Sequence, residues 1–390
     1  MTDIYNNKEE CTGCTACYSI CPVNAIKMEQ DDEGFFYPVV DQKVCIHCGK
    51  CKKVCAQKYL RQESEPIKIY AVKCKNDTIR MNSSSGGSFT MLAEWTERQR
   101  GVIYGAAFDD KFQVKHYRAE NRSEWKKFCY SKYVQSELEE TFKQIKTDLL
   151  DGRNVLFTGT PCQVEGVNKY LQSVDTAKLI TCDIVCHGVP SPKVWSDYLL
   201  YIQRKYRTSI KKVNFRDKSE TGWHNSILTI SGKKNKTLVK EGQSENVFFQ
   251  LFFRHLILRP ACYRCLYANF NRPGDITLGD CWGIEKNHAQ FDDDKGVSLL
   301  MCNTKKGNEI WEKVRDGADY FIITKEECLQ PNLHQPSSKP LNREEFWSMY
   351  KQYGFKRTGQ KMKLLPLSIV DRICLKQERL IRKLKEKMSD

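Results

Sequence analysis

The 390-residue sequence predicts a multidomain protein of α+β and α/β class, in which a small cysteine-rich domain precedes an α/β body with a largely parallel sheet. Two observations predict this organisation. Two cysteine runs of nearly equal spacing lie within the first 55 residues, and two successive strand–turn–helix units follow at 153–171 and 179–202. Because strands linked through a helix pair in parallel, these units favour a parallel sheet. The expected domains are residues 1–62, a body in two parts at 65–150 and 151–330, and a helical extension at 331–390.

The first cysteine run, CTGCTACYSICP at 11–22, has the C-x2-C-x2-C-x3-C-P spacing of bacterial ferredoxins that hold two 4Fe-4S clusters. The run CIHCGKCKKVC at 45–55 repeats this spacing, with Ala56 where proline is usual. In such pairs the fourth cysteine of each run ligates the other cluster. We therefore predict a two-cluster 4Fe-4S ferredoxin-like domain, an electron relay, in which one cluster is held by Cys11, Cys14, Cys17 and Cys55 and the other by Cys45, Cys48, Cys51 and Cys21. Two zinc knuckles are the disfavoured alternative, since structural zinc sites use paired C-x2-C units rather than triplets.

Composition sets the chemical context of these thiols. The chain opens with MTDIYNNKEE, without a basic start followed by an apolar run, and no apolar stretch reaches membrane-spanning length, so a soluble, cytoplasmic protein is expected. Nineteen cysteines in that setting favour metal ligation or redox chemistry over disulfides. The formal charge is +15, and residues 1–62 contribute none of it because eight basic residues balance eight acidic ones there. A basic body suits acidic or phosphorylated partners, whereas no reader motif supports nucleic-acid binding.

The body begins with a predicted short strand, IYAVK at 69–73, followed by the stretch SSSGGSFTMLAEW. Two glycines in a serine run before a helix at about Phe89–Gln99 form a plausible phosphate-binding turn, because glycine leaves backbone N–H groups unhindered at a helix N-terminus. Turns of this kind are also common without any ligand. The stretch GVIYGAAFD at 101–109 then predicts a buried strand.

Four more cysteines suggest a third metal site in the body. Cys162 follows a predicted strand at Val155–Thr158, and Cys186 follows the next strand, so both fall at the edge where parallel strands end. Cys262 and Cys265 have C-x2-C spacing, which is half of a metal site. We predict a third 4Fe-4S cluster on these four cysteines. Cys182 and Cys281 are alternative ligands, and on spacing alone inert core cysteines are an equal alternative.

Eight segments in order resemble one protein family, the coenzyme F420 hydrogenase/dehydrogenase beta-subunit family, over about residues 65–315. They are SSSGGSFTMLAEW, SKYVQS, LFTGTPCQ, DIVCHGVPSP, VNFRDK, RPACYRC, DITLGDCWGI and FDDDKGVSL. The N-terminal cysteine runs resemble the members that carry a fused two-cluster ferredoxin domain.

The resemblance implies an α/β flavin-binding body that holds FAD noncovalently and passes electrons between flavin and clusters. It makes seven residues candidate FAD contacts: Ser85, Gly86, Gly87, Ser88, Ser131, Lys132 and Tyr133. Tyr130 stands where family members often have glycine, which bears on the flavin geometry. The two-electron partner of the family is a deazaflavin or another reducible organic molecule, so the expected path runs from the ferredoxin clusters through the third cluster and FAD to an organic substrate, or in reverse.

A reduced product needs a proton donor, and His187, beside Cys186, is the candidate catalytic residue because histidine titrates near neutral pH. The alternative is a structural ring that bonds a turn or a cluster sulfur. Asp183, Asp275 and Asp280 are expected to be structural, as acids at strand ends often cap turns. Lys132 and Arg216 are candidates to neutralise flavin phosphates or an anionic substrate.

The C-terminal stretch after Pro366 has apolar residues at three- and four-residue steps, which predicts an amphipathic helix over about 369–388. Packing on the body or on a partner subunit is expected, and peripheral contact with an anionic membrane is the alternative. The leading function is an FAD- and iron–sulfur-dependent oxidoreductase. The alternatives are a noncatalytic electron-transfer subunit that serves a redox partner protein, and a zinc-stabilised binding module.

Overall fold

A computed structural model of the protein describes residues 4–58 and 64–367. Its strands are β1 (Ile26–Gln30), β2 (Phe36–Val40), β3 (Lys68–Cys74), β4 (Val102–Phe108), β5 (Val114–Ala119), β6 (Val155–Gly159), β7 (Leu179–Ile184), β8 (Ile210–Asp217), β9 (Ile227–Gly232), β10 (Thr237–Glu241), β11 (Ile276–Asp280), β12 (Ser298–Cys302) and β13 (Ala318–Ile322). Its helices are α1 (Ala16–Ser19), α2 (Lys50–Lys53), α3 (Asp77–Met81), α4 (Ser88–Arg98), α5 (Arg122–Trp125), α6 (Thr141–Leu150), α7 (Pro161–Tyr170), α8 (Pro192–Tyr206), α9 (Val247–Phe253), α10 (Ile284–Asn287), α11 (Lys305–Val314) and α12 (Arg343–Lys361).

The N-terminal domain has two similar halves around the antiparallel pair β1–β2. In each half a residue with positive φ follows the second cysteine of a run, Thr15 at 62° and Gly49 at 72°, and a one-turn helix begins at the next residue. These left-handed residues turn the chain sharply enough for the third cysteine to face the same side as the first two. The repeated spacing of the sequence is therefore a repeated backbone shape.

The body is built on one eight-stranded sheet with the order β13-β3-β12-β11-β7-β6-β4-β5. The four central strands, β11, β7, β6 and β4, are parallel, whereas the flanking pairs are antiparallel. The predicted parallel arrangement of the two strand–turn–helix units is confirmed. Both predicted parts of the body contribute strands to this sheet.

Helices cover both faces of the sheet, because its central strands are apolar on both sides. Helices α4 and α11 pack on one face, where Leu92 and Trp311 meet Leu156. Helices α6 and α7 pack on the other face, where Phe142 meets Phe157. The N-terminal domain joins this second core through Ala16 and Val54.

A second sheet, with the antiparallel order β10-β9-β8, packs with α8, α9 and α12 around a separate aromatic core. The sequence analysis does not predict this sheet, because lysines interrupt the apolar pattern of residues 210–241. It also predicts no element in the polar stretch at 75–82. That stretch contains α3, whose N-cap Asn76 accepts a hydrogen bond from the N–H of Ile79.

The C-terminal helix α12 is kinked at Gly354, whose φ is 69°. The predicted amphipathic helix at 369–388 lies outside the described residues. Within 4–58 and 64–367, no helix combines the length and the apolar character that crossing a bilayer requires.

Gly86, in the turn before α4, packs directly against two strands. A Cβ at this position would lie 2.3 Å from the carbonyl oxygen of Val72 and 2.6 Å from the nitrogen of Ser298. Since both neighbours are strand backbone, we expect Gly86→Ala to lower the free energy of unfolding by roughly 1–3 kcal/mol. Urea unfolding of the purified protein measures this.

Gly242→Ala is the matched control, because its nearest neighbour, a carboxylate oxygen of Glu245, lies at 3.8 Å and its φ is ordinary. Equal stabilities of the two variants would show that the turn yields to the extra methyl group.

Candidate functional site

The first cysteine set consists of Cys11, Cys14, Cys17 and Cys55, which the structure brings together beside α7. Burial raises the pKa of the Cys14 thiol to about 12, and Cys55 and Cys11 raise it further by repulsion. Burial and the same neighbours, together with Cys14, hold the pKa of Cys17 well above its ordinary value. The four thiols are therefore neighbours in the structure.

The second cysteine set consists of Cys21, Cys45, Cys48 and Cys51, which line one cavity whose walls come from the N-terminal domain. Burial raises the pKa of Cys51, and the thiols of Cys45 and Cys48 add to the shift. Cys48 is exposed, and the N–H of Ala25 donates to Cys21 Sγ at 3.2 Å. This set thus reaches solvent through an exposed thiol, unlike the first.

The third cysteine set consists of Cys162, Cys186, Cys262 and Cys265, which line a second cavity at the junction of the body and the N-terminal domain. All four thiols have raised pKa values because of burial, with about 12 for Cys186 and about 11 for Cys265, and Cys162 adds to the shift of each of these two. Neutral thiols are favoured in this apolar setting, so only a cationic centre would convert all four to thiolates.

Local sequence explains why these cysteines meet. Cys162 is the second residue of α7, which begins after Thr160 with a capping box closed by Gln163. Gly188, with φ at 119°, lets the chain after Cys186 pass Cys262, because a Cβ there would lie 3.2 Å from the Cβ of Cys262. The N–H of Val189 donates to Cys262 Sγ at 3.4 Å.

The two alternative ligands lie elsewhere. Cys182 is 1% exposed on β7 in the core beneath α4, and neither it nor Cys281 lines the cavity of the third set. Cys281 is buried in another core, where burial and the neighbouring Cys328 raise the pKa of its thiol.

The spacing of the sulfurs distinguishes the kinds of metal centre. Among the described residues, the side chains whose ligand atoms converge within 4.8 Å of one another in groups of three are His224, Glu285 and Asp292, and no cysteine belongs to such a group. Tetrahedral zinc holds its sulfurs about 3.8 Å apart, given a Zn–S bond near 2.3 Å. No three sulfurs of the described cysteines lie this close together, which favours a larger inorganic centre over one zinc ion.

The first and third sets are neighbours. Cys162 contributes to the raised pKa of Cys14. A Cβ on Gly166 of α7 would lie 2.9 Å from the Cβ of Cys14, so the absence of a side chain there lets the loop of the first set approach α7. Thr12, between two cysteines of the first set, lines the cavity of the third.

Arg259 joins the two domains at this point. Its side chain is buried, at 1% exposed, and Nε donates to the carbonyl of Cys11 at 2.7 Å while Nη2 donates to the carbonyl of Phe36 at 3.0 Å. The guanidinium also lies 4.2 Å from the ring centroid of Tyr37. It forms no ion pair with a carboxylate of the described residues. The acidic groups beside it are thiols, including Cys11 Sγ at 3.6 Å from Nη2.

The segment SKYVQS connects the predicted flavin site to the first cysteine set. The N–H of Ser131 donates to Ser84 Oγ at 2.7 Å, which joins this segment to the serine–glycine turn of residues 83–88. At the other end, Gln135 Nε2 donates to the carbonyl of Thr12 at 3.0 Å. The short stretch 131–135 therefore spans the space between the turn and the loop of the first set.

The serine–glycine turn was predicted to offer free backbone N–H groups to a phosphate, and one of these groups is already used. The N–H of Gly86 donates to Ser298 Oγ at 2.9 Å, so this group is not free for a phosphate. Gly87, with φ at 93°, precedes α4 directly, and the buried hydroxyl of Ser88 has no hydrogen-bond partner among the described residues.

Lys218 is a functional candidate that the sequence analysis missed. Its ammonium group is buried beside the turn and donates to the carbonyl of Ser85 at 3.0 Å. Burial lowers its pKa to about 7, and the nearby Arg216 and Arg80 lower it further. Among the described residues it forms no ion pair. Lys218 lies in the segment VNFRDK that carries the resemblance, but one lysine among 63 basic residues gives no sign of its burial.

The predicted candidates Tyr133 and Arg216 lie next to one another. Arg216 Nη1 donates to Asp280 at 2.8 Å and to the hydroxyl of Tyr133 at 3.4 Å, while its buried Nη2 has no partner in the described part of the chain. Lys132 is partly buried, and burial lowers its pKa to about 7. Its ammonium group donates to the carbonyl of Lys127 at 2.6 Å, so Lys218 is the lysine of the two that contacts the turn.

His187 lies at the third cysteine set rather than at the serine–glycine turn. Its Nδ1 is 3.1 Å from Asn332 Oδ1, and its Nε2 is 2.9 Å from Nε2 of His255. Burial and the neighbouring His255 lower its pKa to about 4. A neutral ring with both nitrogens engaged fits the structural alternative better than proton donation near neutral pH.

The three aspartates have structural partners. Asp183 forms a fully buried ion pair with Arg272 and accepts the N–H of Gly274 at 2.8 Å. Asp275 accepts the N–H of Thr181 at 2.9 Å. Asp280 holds Arg216, so it is the one member of the three that touches the predicted flavin site.

Two family models match separate parts of the chain. Residues 152–326 match the family described as the C terminus of the coenzyme F420 hydrogenase/dehydrogenase beta subunit, and residues 10–59 match the 4Fe-4S dicluster domain. An uncharacterized protein from Methanocaldococcus jannaschii is 25% identical over 354 residues, which are 80% of this chain and 90% of that protein. An uncharacterized ferredoxin from the same organism is 32% identical over 53 residues, which are 14% of this chain and 68% of the ferredoxin.

A chain of the F420-reducing NiFe hydrogenase complex from Methanosarcina barkeri is 17% identical with a TM-score of 0.47, over 76% of this chain and 92% of that chain.

The contacts of Arg259 predict its contribution to stability. Arg259→Met leaves two buried carbonyls without donors, so we expect the free energy of unfolding to fall by roughly 2–4 kcal/mol. Hydrogen exchange should rise at residues 9–17 and 35–37, which the guanidinium holds. Urea unfolding and exchange mass spectrometry measure both effects.

Arg264→Met is the matched control in the same segment, because Arg264 is 70% exposed in a 3.5 Å surface pair with Glu9. If both variants show wild-type exchange at 9–17, Arg259 does not hold the domains together.

Proposed function

The chain belongs to the coenzyme F420 hydrogenase/dehydrogenase beta-subunit family, and we propose that it is an oxidoreductase that passes electrons between 4Fe-4S clusters and a two-electron organic carrier through FAD. Its N-terminal residues form a 4Fe-4S dicluster domain, so the chain is an iron–sulfur electron-transfer protein. The proposal adds the third cluster, the FAD and the catalytic role.

The observation that carries the proposal is the continuity of the three cysteine sets with the predicted flavin site. The second set includes the exposed Cys48, the cysteines of the first are partly buried, and Thr12 from the loop of the first set lines the cavity of the third. From the third set, the ring centroid of His187 lies 5.0 Å from that of Phe252, which lies 5.4 Å from that of Tyr133. Electron carriers seated at the first and third sets would be neighbours, and the aromatic rings lead from the third set to Tyr133 of the predicted flavin site.

The positions of the cysteines support three ligand sets. Cys11, Cys14, Cys17 and Cys55 would hold one cluster, Cys21, Cys45, Cys48 and Cys51 the second, and Cys162, Cys186, Cys262 and Cys265 the third. The spacing of the sulfurs supports a cubane cluster over a zinc ion. The burial of the thiols also supports a cluster, because buried thiols need a cationic centre in order to ionise.

Three observations support FAD at the serine–glycine turn. Lys218 is a buried cation without a carboxylate partner in the described chain, and a phosphate would supply the missing charge. The buried Nη2 of Arg216 and Oγ of Ser88 lack partners that a ligand would provide. Ser85, Gly86, Gly87, Ser88, Ser131, Lys132 and Tyr133 therefore remain the proposed contacts, with Lys218 added and with Gly86 serving for close packing.

FAD, when bound, supplies the exchange between single electrons of clusters and electron pairs of organic carriers. The residues of the chain bind and orient it, and the apolar walls of the third set exclude water. A deazaflavin is one candidate for the organic carrier. A redox partner protein would exchange electrons at the other end.

The neutral state of His187 favours a second candidate function, a noncatalytic electron-transfer subunit of a larger complex. Among the described residues at the turn, the acid Asp280 is already paired with Arg216. A subunit that passes electrons onward without protonating a substrate would need no proton donor there.

One experiment separates the two functions. The full chain is purified without oxygen, and its clusters are followed by absorbance after addition of a reduced deazaflavin or NAD(P)H. An oxidoreductase bleaches its clusters in proportion to bound FAD and turns over with an artificial acceptor. A relay subunit binds clusters but shows no turnover with either carrier until a partner protein is added.

Cluster content tests the third set. We expect about 12 iron and about 12 sulfide per chain in the wild type. Cys162→Ala should lower both by about four and leave the signals of the dicluster domain unchanged. Iron and sulfide assays with electron paramagnetic resonance measure this.

Cys182→Ala is the control, because it also removes a thiol from the body but one that does not line the cavity. Full iron content in Cys162→Ala would contradict the assignment of the third set.

The lowered pKa of Lys218 predicts a pH dependence of FAD binding. Free Lys218 is protonated below about pH 7 and neutral above it, and a phosphate binds the protonated form. The apoprotein should therefore bind FAD about tenfold more tightly at pH 6.5 than at pH 8.5. Quenching of flavin fluorescence measures the affinity.

Lys218→Met should reduce this pH dependence and leave only the part due to Lys132, whose pKa is also about 7, whereas Lys75→Met, at an exposed lysine just after β3, should retain all of it. A Lys218→Met protein with the wild-type pH profile would place the phosphates elsewhere.

A further inference from the structure

The exposed face of the second cysteine set is chemically unlike the rest of the N-terminal domain. Two apolar side chains are exposed there: Ile46, at 59%, which lines the cavity of this set, and Val44, at 45%, two residues before it in the chain. Cys48 is exposed two residues after Ile46. Lone exposed apolar residues are ordinary, but an exposed isoleucine and valine beside one exposed cysteine suggest a contact surface.

Four lysines accompany this apolar face. Lys43, Lys50, Lys52 and Lys53 are exposed, and none forms an ion pair with the residues that the structure describes. The single carboxylate of residues 39–53, Asp41, accepts the backbone N–H of Lys43 at 2.9 Å. We call this surface, made of Val44, Ile46 and the four lysines, the basic port.

Three acidic residues of the N-terminal domain form ion pairs with the body. Asp32 pairs with Lys351 at 2.7 Å, Glu33 binds Arg343, and Glu9 pairs with Arg264 at 3.5 Å. All three basic partners belong to the body. The domain is formally neutral, yet these three negative charges face the body while the lysines of the port remain beside the second set.

The charge of the port persists when a cluster is present. Residues 39–53 have a surplus of three positive charges, and an oxidised cluster with four thiolate ligands adds about two negative charges. The flexible lysine side chains extend beyond the cluster into solvent, where they act on an approaching protein. Positive patches of this kind accelerate encounter with acidic partners.

We propose that the basic port is the docking site of a small acidic carrier protein that exchanges single electrons with the second cluster. The exposed apolar centre with a charged rim matches the small, transient interfaces of electron-transfer partners. One electron leaves the centre of the carrier and arrives at the second cluster, with no bond made and no proton moved. This inference rests on the proposed function, since it takes the second set to hold a cluster.

The test uses the full chain with its clusters. A plant-type two-iron ferredoxin of acidic surface is reduced beforehand and mixed in a stopped-flow instrument, and oxidation of the ferredoxin is followed at several salt concentrations. The port variant carries Lys43→Gln, Lys50→Gln, Lys52→Gln and Lys53→Gln. The control variant carries Lys211→Gln, Lys233→Gln, Lys234→Gln and Lys236→Gln, four exposed lysines in and near the β8–β10 sheet, so both have the same net charge.

We expect the second-order rate constant of the port variant to fall at least tenfold at low salt and to lose most of its salt dependence. The control variant should stay within twofold of the wild type. Ile46→Ser should slow transfer at every salt concentration, because it removes apolar contact rather than charge. A port variant with the rate and salt dependence of the control would overturn the proposal.

Two further measurements separate the causes of failure. Reduced propyl viologen sulfonate, a small zwitterion, should reduce the clusters of all variants at the same rate. If it cannot reduce the protein at all, the result contradicts the proposed function and not the basic port. Binding to anionic vesicles that only the port variant loses, with ferredoxin oxidation unchanged, would assign the surface to a membrane and overturn the proposal.

Discussion

The buried guanidinium of Arg259 is the interaction on which the arrangement of the sites depends. A buried charge without a carboxylate partner is costly, so the surrounding groups must satisfy it through hydrogen bonds and an aromatic face. Those groups come from the loop of the first cysteine set, from Phe36 and Tyr37 of the hairpin, and from Gln135. Arg259 itself stands three residues before Cys262. One side chain therefore fixes the distance between the first and third sets, because neither loop can shift without leaving the guanidinium unsatisfied.

The same cation changes the electrostatics of the buried thiols. Burial opposes thiolate formation in both sets, and it raises the pKa of Cys14 in the first and of Cys162 in the third. Arg259 acts in the other direction at Cys162, where it lowers the pKa by Coulombic attraction. A cation and N–H donors near cluster sulfur also favour the reduced, more negative state of a cluster. The guanidinium of Arg259 lies beside the first set. The second set has an exposed cysteine, Cys48, and faces solvent.

Sequence predicted the parts of the site that depend on local spacing. The triplets of cysteines impose their own turns, and Cys162 and Cys186 follow apolar strands whose carboxyl ends must share an edge. Sequence did not predict Arg259 or Lys218, because the burial of a basic residue depends on which surfaces the fold presses against it. The sheet β8–β10 was missed for a related reason, since its exposed lysines hide the alternation of its strands. For His187 the sequence predicted a proton donor. The structure places its neighbour Cys186 at the cavity of the third set, but burial and His255 lower the pKa of His187 to about 4, which disfavours the charged ring that proton donation requires.

Burial decides where electrons can enter. The first and third sets lie between the domains, where Arg259 and α7 shield them from an approaching protein. The second set lines a cavity formed by the N-terminal domain alone and includes an exposed thiol. Because Asp32 and Glu33 dock on basic residues of the body, they do not compete for the lysines beside that cavity. The ion pairs that hold the N-terminal domain against the body therefore also separate its charges, because they use acidic residues and leave the lysines of the basic port unpaired among the described residues. A carrier of acidic surface would meet the exposed cluster first, and the fixed spacing set by Arg259 would keep the remaining steps inside one molecule.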